Sequence, residues 1–180
     1  KALGEPEEKL DKRLNIYLAD TLESPNAAPP GGLDLTHKAL TNEHEAARKV
    51  KNEGEILVCL GNPPYDRQTI EEGDTTTQRK GGWVRFGERG AAQGRVTRAD
   101  DEQEQTTAER PIFKDFTEPA TKAGAGLHLK NLYNDYVYFW RWALWRLFEQ
   151  QDCGGVVTFI TASSYLAGPG FVGVREAMRR

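Results

Sequence analysis

The chain has 180 residues, 38% of them hydrophobic, enough for one domain with a sizeable core plus polar segments that the core does not need. Its 24 basic and 27 acidic residues give a net charge of -3, which excludes the global basic field that by itself marks a nucleic-acid binder. No apolar run approaches the roughly 20 residues of a membrane span, so a soluble protein with no membrane partner is expected.

In chain order, "LNIYLAD" (14–20) alternates apolar and polar positions and ends in an acid, which predicts a strand. After a Pro/Asn/Gly-rich loop, residues 35–54 place Leu40, Ala46, Ala47 and Val50 near helical spacing with Gly54 at the end, which predicts an amphipathic helix. "EILVCLG" (55–61) is a short continuous apolar run and predicts a central strand covered on both faces. Asn62-Pro63-Pro64-Tyr65 follows without a spacer.

Residues 66–130 form a polar insertion in this reading, expected to be partly disordered; up to about Arg110 it is rich in Thr, Gln, Gly and mixed charge, with Trp83, Val84 and Phe86 as its local apolar cluster. From Asn131 to Gln151 the aromatics are dense, with Tyr136, Trp140, Ala143, Leu144 and Leu147 on one helical face and Arg141 and Arg146 as polar relief; a helix packed on a sheet is predicted. "GGVVTFIT" (154–161) predicts a third buried strand, "ASSYLAGPG" a loop, and Phe171 onward a helix. The alternation of strands and helices predicts an α/β fold with a largely parallel sheet.

Cys59 and Cys153 form no CxxC pair and no His/Cys cluster, so reduced thiols, a cytoplasmic location and no metal are expected. His37, His44 and His128 sit in polar surroundings and receive no proton-transfer role. "GPGFVG" (168–173) matches GxGxxG, but it lies several residues past its strand and contains a proline, so it is a poor nucleotide loop. The chain starts at Lys1 without a methionine and ends in helix-like sequence, so it reads as a fragment of something longer.

In open parallel sheets ligands gather at the carboxyl ends of strands, which here carry Asp20, Asn62 and the Thr161 to Ser164 loop, all expected to face one crevice. An Asn-initiated turn explains any one residue of the NPPY tetrapeptide better than all four. The Asn62 side-chain oxygen and the Pro63 carbonyl can each accept an N–H from an aromatic amine and free its lone pair. Pro63 and Pro64 remove two backbone donors and stiffen the loop, and Tyr65 supplies a flat wall for stacking.

"GNPPY" after an apolar strand resembles motif IV of the S-adenosylmethionine-dependent amino methyltransferases, most of which modify adenine N6 in DNA. "LNIYLADTL" is similar to their motif III, "NLYNDYVYFWRWA" to motif V, "GGVVTFITASSYL" to motif VI and "FVGVREAM" to the helix after it. The combination most resembles the methyltransferase region of type ISP restriction-modification enzymes.

The resemblance implies a Rossmann-like methyltransferase fold, incomplete because it lacks the first strands, with 1–180 a partial catalytic domain. It implies that Asn62, Pro63, Pro64 and Tyr65 hold a flipped adenine, that Asp20 accepts from the adenine amino group of S-adenosylmethionine, and that Leu132 and Tyr133 help wall the cofactor pocket. Implied partners are double-stranded DNA and other parts of a longer polypeptide, such as nuclease, helicase and target-recognition domains. The family's glycine cofactor turn is absent from this chain, so the 180 residues alone are expected to bind cofactor poorly. Two other readings stay open: a glutamine N5-methyltransferase using the same NPPY loop on a protein, and a non-catalytic interaction module.

Overall fold

The computed structural model describes residues 16–27, 35–65, 81–92 and 110–180. Its elements in chain order are α1 (Leu35–Glu53), β1 (Val58–Gly61), α2 (Gly82–Ala92), α3 (Lys114–Lys122), a 3-10 turn (Gly126–Asn131), α4 (Asp135–Phe148), β2 (Val156–Phe159), α5 (Ser164–Ala167), a second 3-10 turn (Pro169–Phe171) and α6 (Val172–Ala177). Strands β1 and β2 pair in parallel, with Val58 opposite Val156 and Gly61 opposite Phe159. The ladder runs from Val156 N–H to the Leu57 carbonyl (2.8 Å) to Ile160 N–H and the Gly61 carbonyl (3.0 Å). A parallel pair needs a long crossover, and here it carries α2, α3 and α4. The fold is therefore mixed α/β with a two-stranded parallel sheet among the described residues.

Helix α4 organises the core. Asn134 sits extended at its N-cap and accepts a hydrogen bond from Tyr136 N–H (3.4 Å), a cap that Asn makes readily. The helix is buried nearly all round, which changes the expected role of its two arginines: they are enclosed, not surface relief, at 1% and 2% exposed. Arg141 Nε donates to the Ile112 carbonyl (2.7 Å), and its two terminal nitrogens bind Asp115 (2.6 Å) and Glu149 (2.6 and 2.9 Å). Arg146 donates to the Gly54 carbonyl and to Gln151 Oε1 (3.0 Å). A buried charge persists only when such partners satisfy it, and a helical-wheel pattern does not reveal partners from other elements.

Described parts of the 66–130 segment also enter the core. Trp83 and Val84 of α2, Phe113, and Phe116 and Ala120 of α3 are all buried. Trp83 meets Trp145 edge-on at 4.8 Å, and Phe113 meets Tyr138 at 4.9 Å. A few large apolar side chains suffice to fold a segment whose average composition is polar. Residues 66–80 and 93–109 of the expected insertion lie outside the described residues.

Two expectations need correction. Residues 16–20 of the predicted first strand are irregular, with Ile16 and Leu18 70% and 74% exposed. Alternation supplies side-chain pattern, but a strand also needs a neighbouring strand for its backbone, and the described sheet consists of β1 and β2 alone. The chain turns instead at Asp20, whose carboxylate accepts from Leu22 N–H (2.9 Å). The sheet is also covered on one face only: Cys59, Val157 and Phe159 pack towards the core, whereas Val58, Leu60 and Val156 are 63%, 77% and 58% exposed.

The glycines of "GPGFVG" have a packing role. A Cβ on Gly173 would lie 2.3 Å from the Phe116 carbonyl oxygen of α3, and one on Gly170 would lie 2.6 Å from that of His128. Helix α6 thus rests directly on the α3 backbone. Gly173→Ala should lower stability by about 1–3 kcal/mol, the usual cost of overpacking, in chemical denaturation of the purified protein. An unchanged midpoint would show that α6 does not sit there.

Burial raises the Cys59 thiol pKa, while Cys153 is exposed. At pH 8 a thiol reagent should label Cys153 in a fast phase and Cys59 in a slow one, with only the slow phase left in Cys153→Ser. Equal rates would place Cys59 on the bare face of the sheet.

Candidate functional site

Because β1 and β2 run parallel, the chain leaves both at the same edge. Asn62 follows Gly61 immediately and is exposed, and its side chain makes no hydrogen bond among the described residues. Pro63 is buried and Pro64 exposed, and neither has an N–H to donate. Tyr65 then folds back across the gap between the strand ends. Its hydroxyl donates to the Ile160 carbonyl just past β2 (2.7 Å), and its ring lies 5.9 Å from that of Tyr136 at 46°. Asn134 Nδ2 donates to the Tyr65 carbonyl (3.5 Å), and the Tyr136 and Ser164 hydroxyls are 2.9 Å apart.

The structure therefore brings Asn62, Pro63, Pro64 and Tyr65 together with the loop from Ile160 to Ser164. Asp20 is not brought to them. Its carbonyl accepts from Lys51 Nζ (2.6 Å) in the last turn of α1, which precedes the amino end of β1, whereas Asn62 follows the carboxyl end. Three strand ends facing one crevice become two.

Leu132 has no exposed surface and belongs to the core. Tyr133 is half-buried, 6.2 Å from Phe113 and beneath the Arg85 guanidinium at 4.2 Å. The contacts described for Asp20, Leu132 and Tyr133 do not join the three to one another.

A cleft of about 520 Å³ does exist, but at the amino end of the strands, between Asn52 to Glu55, Arg146 and Gln150 to Cys153. Its polar groups tie the backbone together: Gln151 accepts from Ile56 N–H (3.0 Å) and donates to the Ile56 and Gly154 carbonyls (2.7 and 2.9 Å). Its position, at the far end of the sheet from Asn62, makes it part of the scaffold.

The chemistry of the carboxyl edge is set by what it lacks as well as what it holds. Residues 61–65 and 160–164 carry no charged side chain, and Asp135 opens α4 between Asn134 and Tyr136. The edge offers amide and carbonyl oxygens, hydroxyls and one half-exposed phenol ring, which suit a neutral flat ligand bearing N–H groups. The parts that sequence reasoning missed are Asn134 as a second anchor and the Tyr136–Ser164 pair. The Asn-Asp step ahead of the aromatic helix was a readable N-cap signal, but it pointed only to a helix start.

Comparison with known proteins adds no relative: no protein-family model, no curated protein and no solved structure matches the chain.

Proposed function

We propose that the loop from Asn62 to Tyr65 holds the exocyclic amine of a flipped adenine, in a site-specific DNA N6-methyltransferase dependent on S-adenosylmethionine. The observation that carries this reading is the exposed Asn62 amide, unpaired among the described residues at a parallel strand's carboxyl end, followed by two prolines and an aromatic ring. The motif resemblance from Asn62 to Tyr65 and through 131–166 supports it.

In this reading Asn62 Oδ1 and the Pro63 carbonyl each accept one N–H of the amine, which draws the nitrogen out of conjugation with the ring. The exposed face of Tyr65 stacks on the base, contributing about 1–3 kcal/mol towards the cost of unstacking it from the duplex. S-adenosylmethionine supplies an electrophilic methyl group when bound. Asp20, Leu132 and Tyr133 remain the residues that the motif resemblance assigns to it, within a Rossmann-like sheet larger than the two strands described. Double-stranded DNA is the substrate, and in type ISP-like architecture nuclease, helicase and target-recognition parts share the chain.

The test is methyl transfer by the full-length protein to duplex DNA and, separately, to a translation release factor. Asn62→Ala should reduce transfer to DNA about 10²- to 10³-fold, the usual cost of removing one oriented polar group from a reacting centre, while cofactor affinity stays within about 2-fold. Full activity in that variant would sink the role of Asn62. Transfer to the release factor alone would favour the glutamine N5 reading, and transfer to neither would favour a non-catalytic module.

A further inference from the structure

We propose that Asn134, with the Tyr136–Ser164 pair, is a clasp that sets the position of the Asn62-Pro63-Pro64-Tyr65 loop; as a set of positioning residues it rests on the function proposed above. The sheet ladder ends at the bond from Ile160 N–H to the Gly61 carbonyl. Beyond it the two prolines have no N–H to give, so backbone pairing no longer fixes the loop. What fixes it is Tyr65, held at its hydroxyl by the Ile160 carbonyl, at its ring by Tyr136, and at its carbonyl by Asn134.

Asn134 acts in two directions at once. Its Oδ1 accepts from Tyr136 N–H and caps α4, while its Nδ2 donates to the Tyr65 carbonyl 69 residues away in sequence. It is 6% exposed, and Tyr136 is 3% exposed. The rigid helix that organises the core therefore reaches the loop through one amide. The Tyr136 hydroxyl carries the same restraint to Ser164, at the start of α5 on the loop after β2. Asn62 is thus anchored by β1 on one side and by a clasped Tyr65 three residues on.

Aspartate separates the two duties of Asn134. It caps a helix about as well as asparagine, but it has no N–H for the Tyr65 carbonyl. In the full-length protein, Asn134→Asp turns a carboxylate oxygen towards the Tyr65 carbonyl at a buried site, so it should lower the melting midpoint modestly. The KM for S-adenosylmethionine should hold, while kcat on duplex DNA falls about 10- to 100-fold, the range expected for misplacement of a reacting group by up to an ångström. Tyr136→Phe and Ser164→Ala remove the same hydroxyl contact from its two sides, so each should lower kcat and the double variant should lower it no further.

Amide hydrogen exchange across residues 61–65 gives a readout independent of activity, and it should speed up several-fold in Asn134→Asp. Wild-type kcat with wild-type exchange in that variant, or a fall in kcat no larger than in Gly173→Ala at a matched loss of melting temperature, would overturn the clasp. If the wild-type protein transfers no methyl group to DNA, the proposed function falls, and the exchange rates still decide whether Asn134 holds the loop.

Discussion

The fold depends on two buried guanidinium groups whose hydrogen bonds tie α4 to other elements. Arg141 joins the middle of α4 to the backbone at Ile112, to Asp115 at the start of α3 and to Glu149 just past its own end. Arg146 reaches the turn between α1 and β1 through the Gly54 carbonyl. Breaking a buried ion pair costs about 3–5 kcal/mol, so α3 cannot drift from α4 without a large penalty, and the α1–β1 turn is held to α4 by hydrogen bonds from Arg146. Gln151 adds both of its amide functions to the backbone of Ile56. The amino end of β1 is fixed by side chains, and the register of β1 on β2 then fixes its carboxyl end, where Asn62 stands.

Packing is one-sided around this frame. Trp140 lies edge-on to Phe159 at 5.0 Å and seals the sheet against α4, while Val58, Leu60 and Val156 on the opposite face meet no described residue that buries them. A two-stranded ladder is marginal by itself, and parallel sheets are ordinarily covered on both faces. The stability of β1 and β2 in this structure therefore derives from α4 and from Arg146 and Gln151. In the proposed Rossmann-like arrangement the sheet continues and its bare face is packed against helices, which agrees with the unbroken apolar sequence of both strands.

The sequence made legible whatever depends on local pattern. Both observed strands appear as short apolar runs between glycines, α1 and α4 appear through helical spacing, and the parallel pairing follows from the helices between. What it concealed depends on partners far along the chain. The segment 14–20 has strand periodicity, but its described part, 16–20, pairs with no described strand. Arg141 and Arg146 resemble surface charges until the carboxylates and carbonyls of other elements are in place. Phe113 and Phe116 are diluted by a polar surrounding sequence, yet they are among the most buried residues. Asp20 ends an apolar alternation, but its carbonyl is held beside the last turn of α1, because Lys51 reaches it there.

The same distinction applies within the site. Asn62 is legible because the chemistry sits in four consecutive residues: an amide with no described partner, two positions without donors, and a ring. Asn134 is not legible, because its local signature is fully accounted for by a helix cap, and its second hydrogen bond goes to a residue 69 positions away. A side chain that satisfies a local rule with one atom leaves no trace in sequence of what its other atom does. Asparagine and aspartate are near equivalents at an N-cap, so only the donor atom distinguishes a helix start from a helix start that also holds a loop. The amide nitrogen of Asn134 is thus the point at which the packing of α4 becomes the geometry of the carboxyl edge.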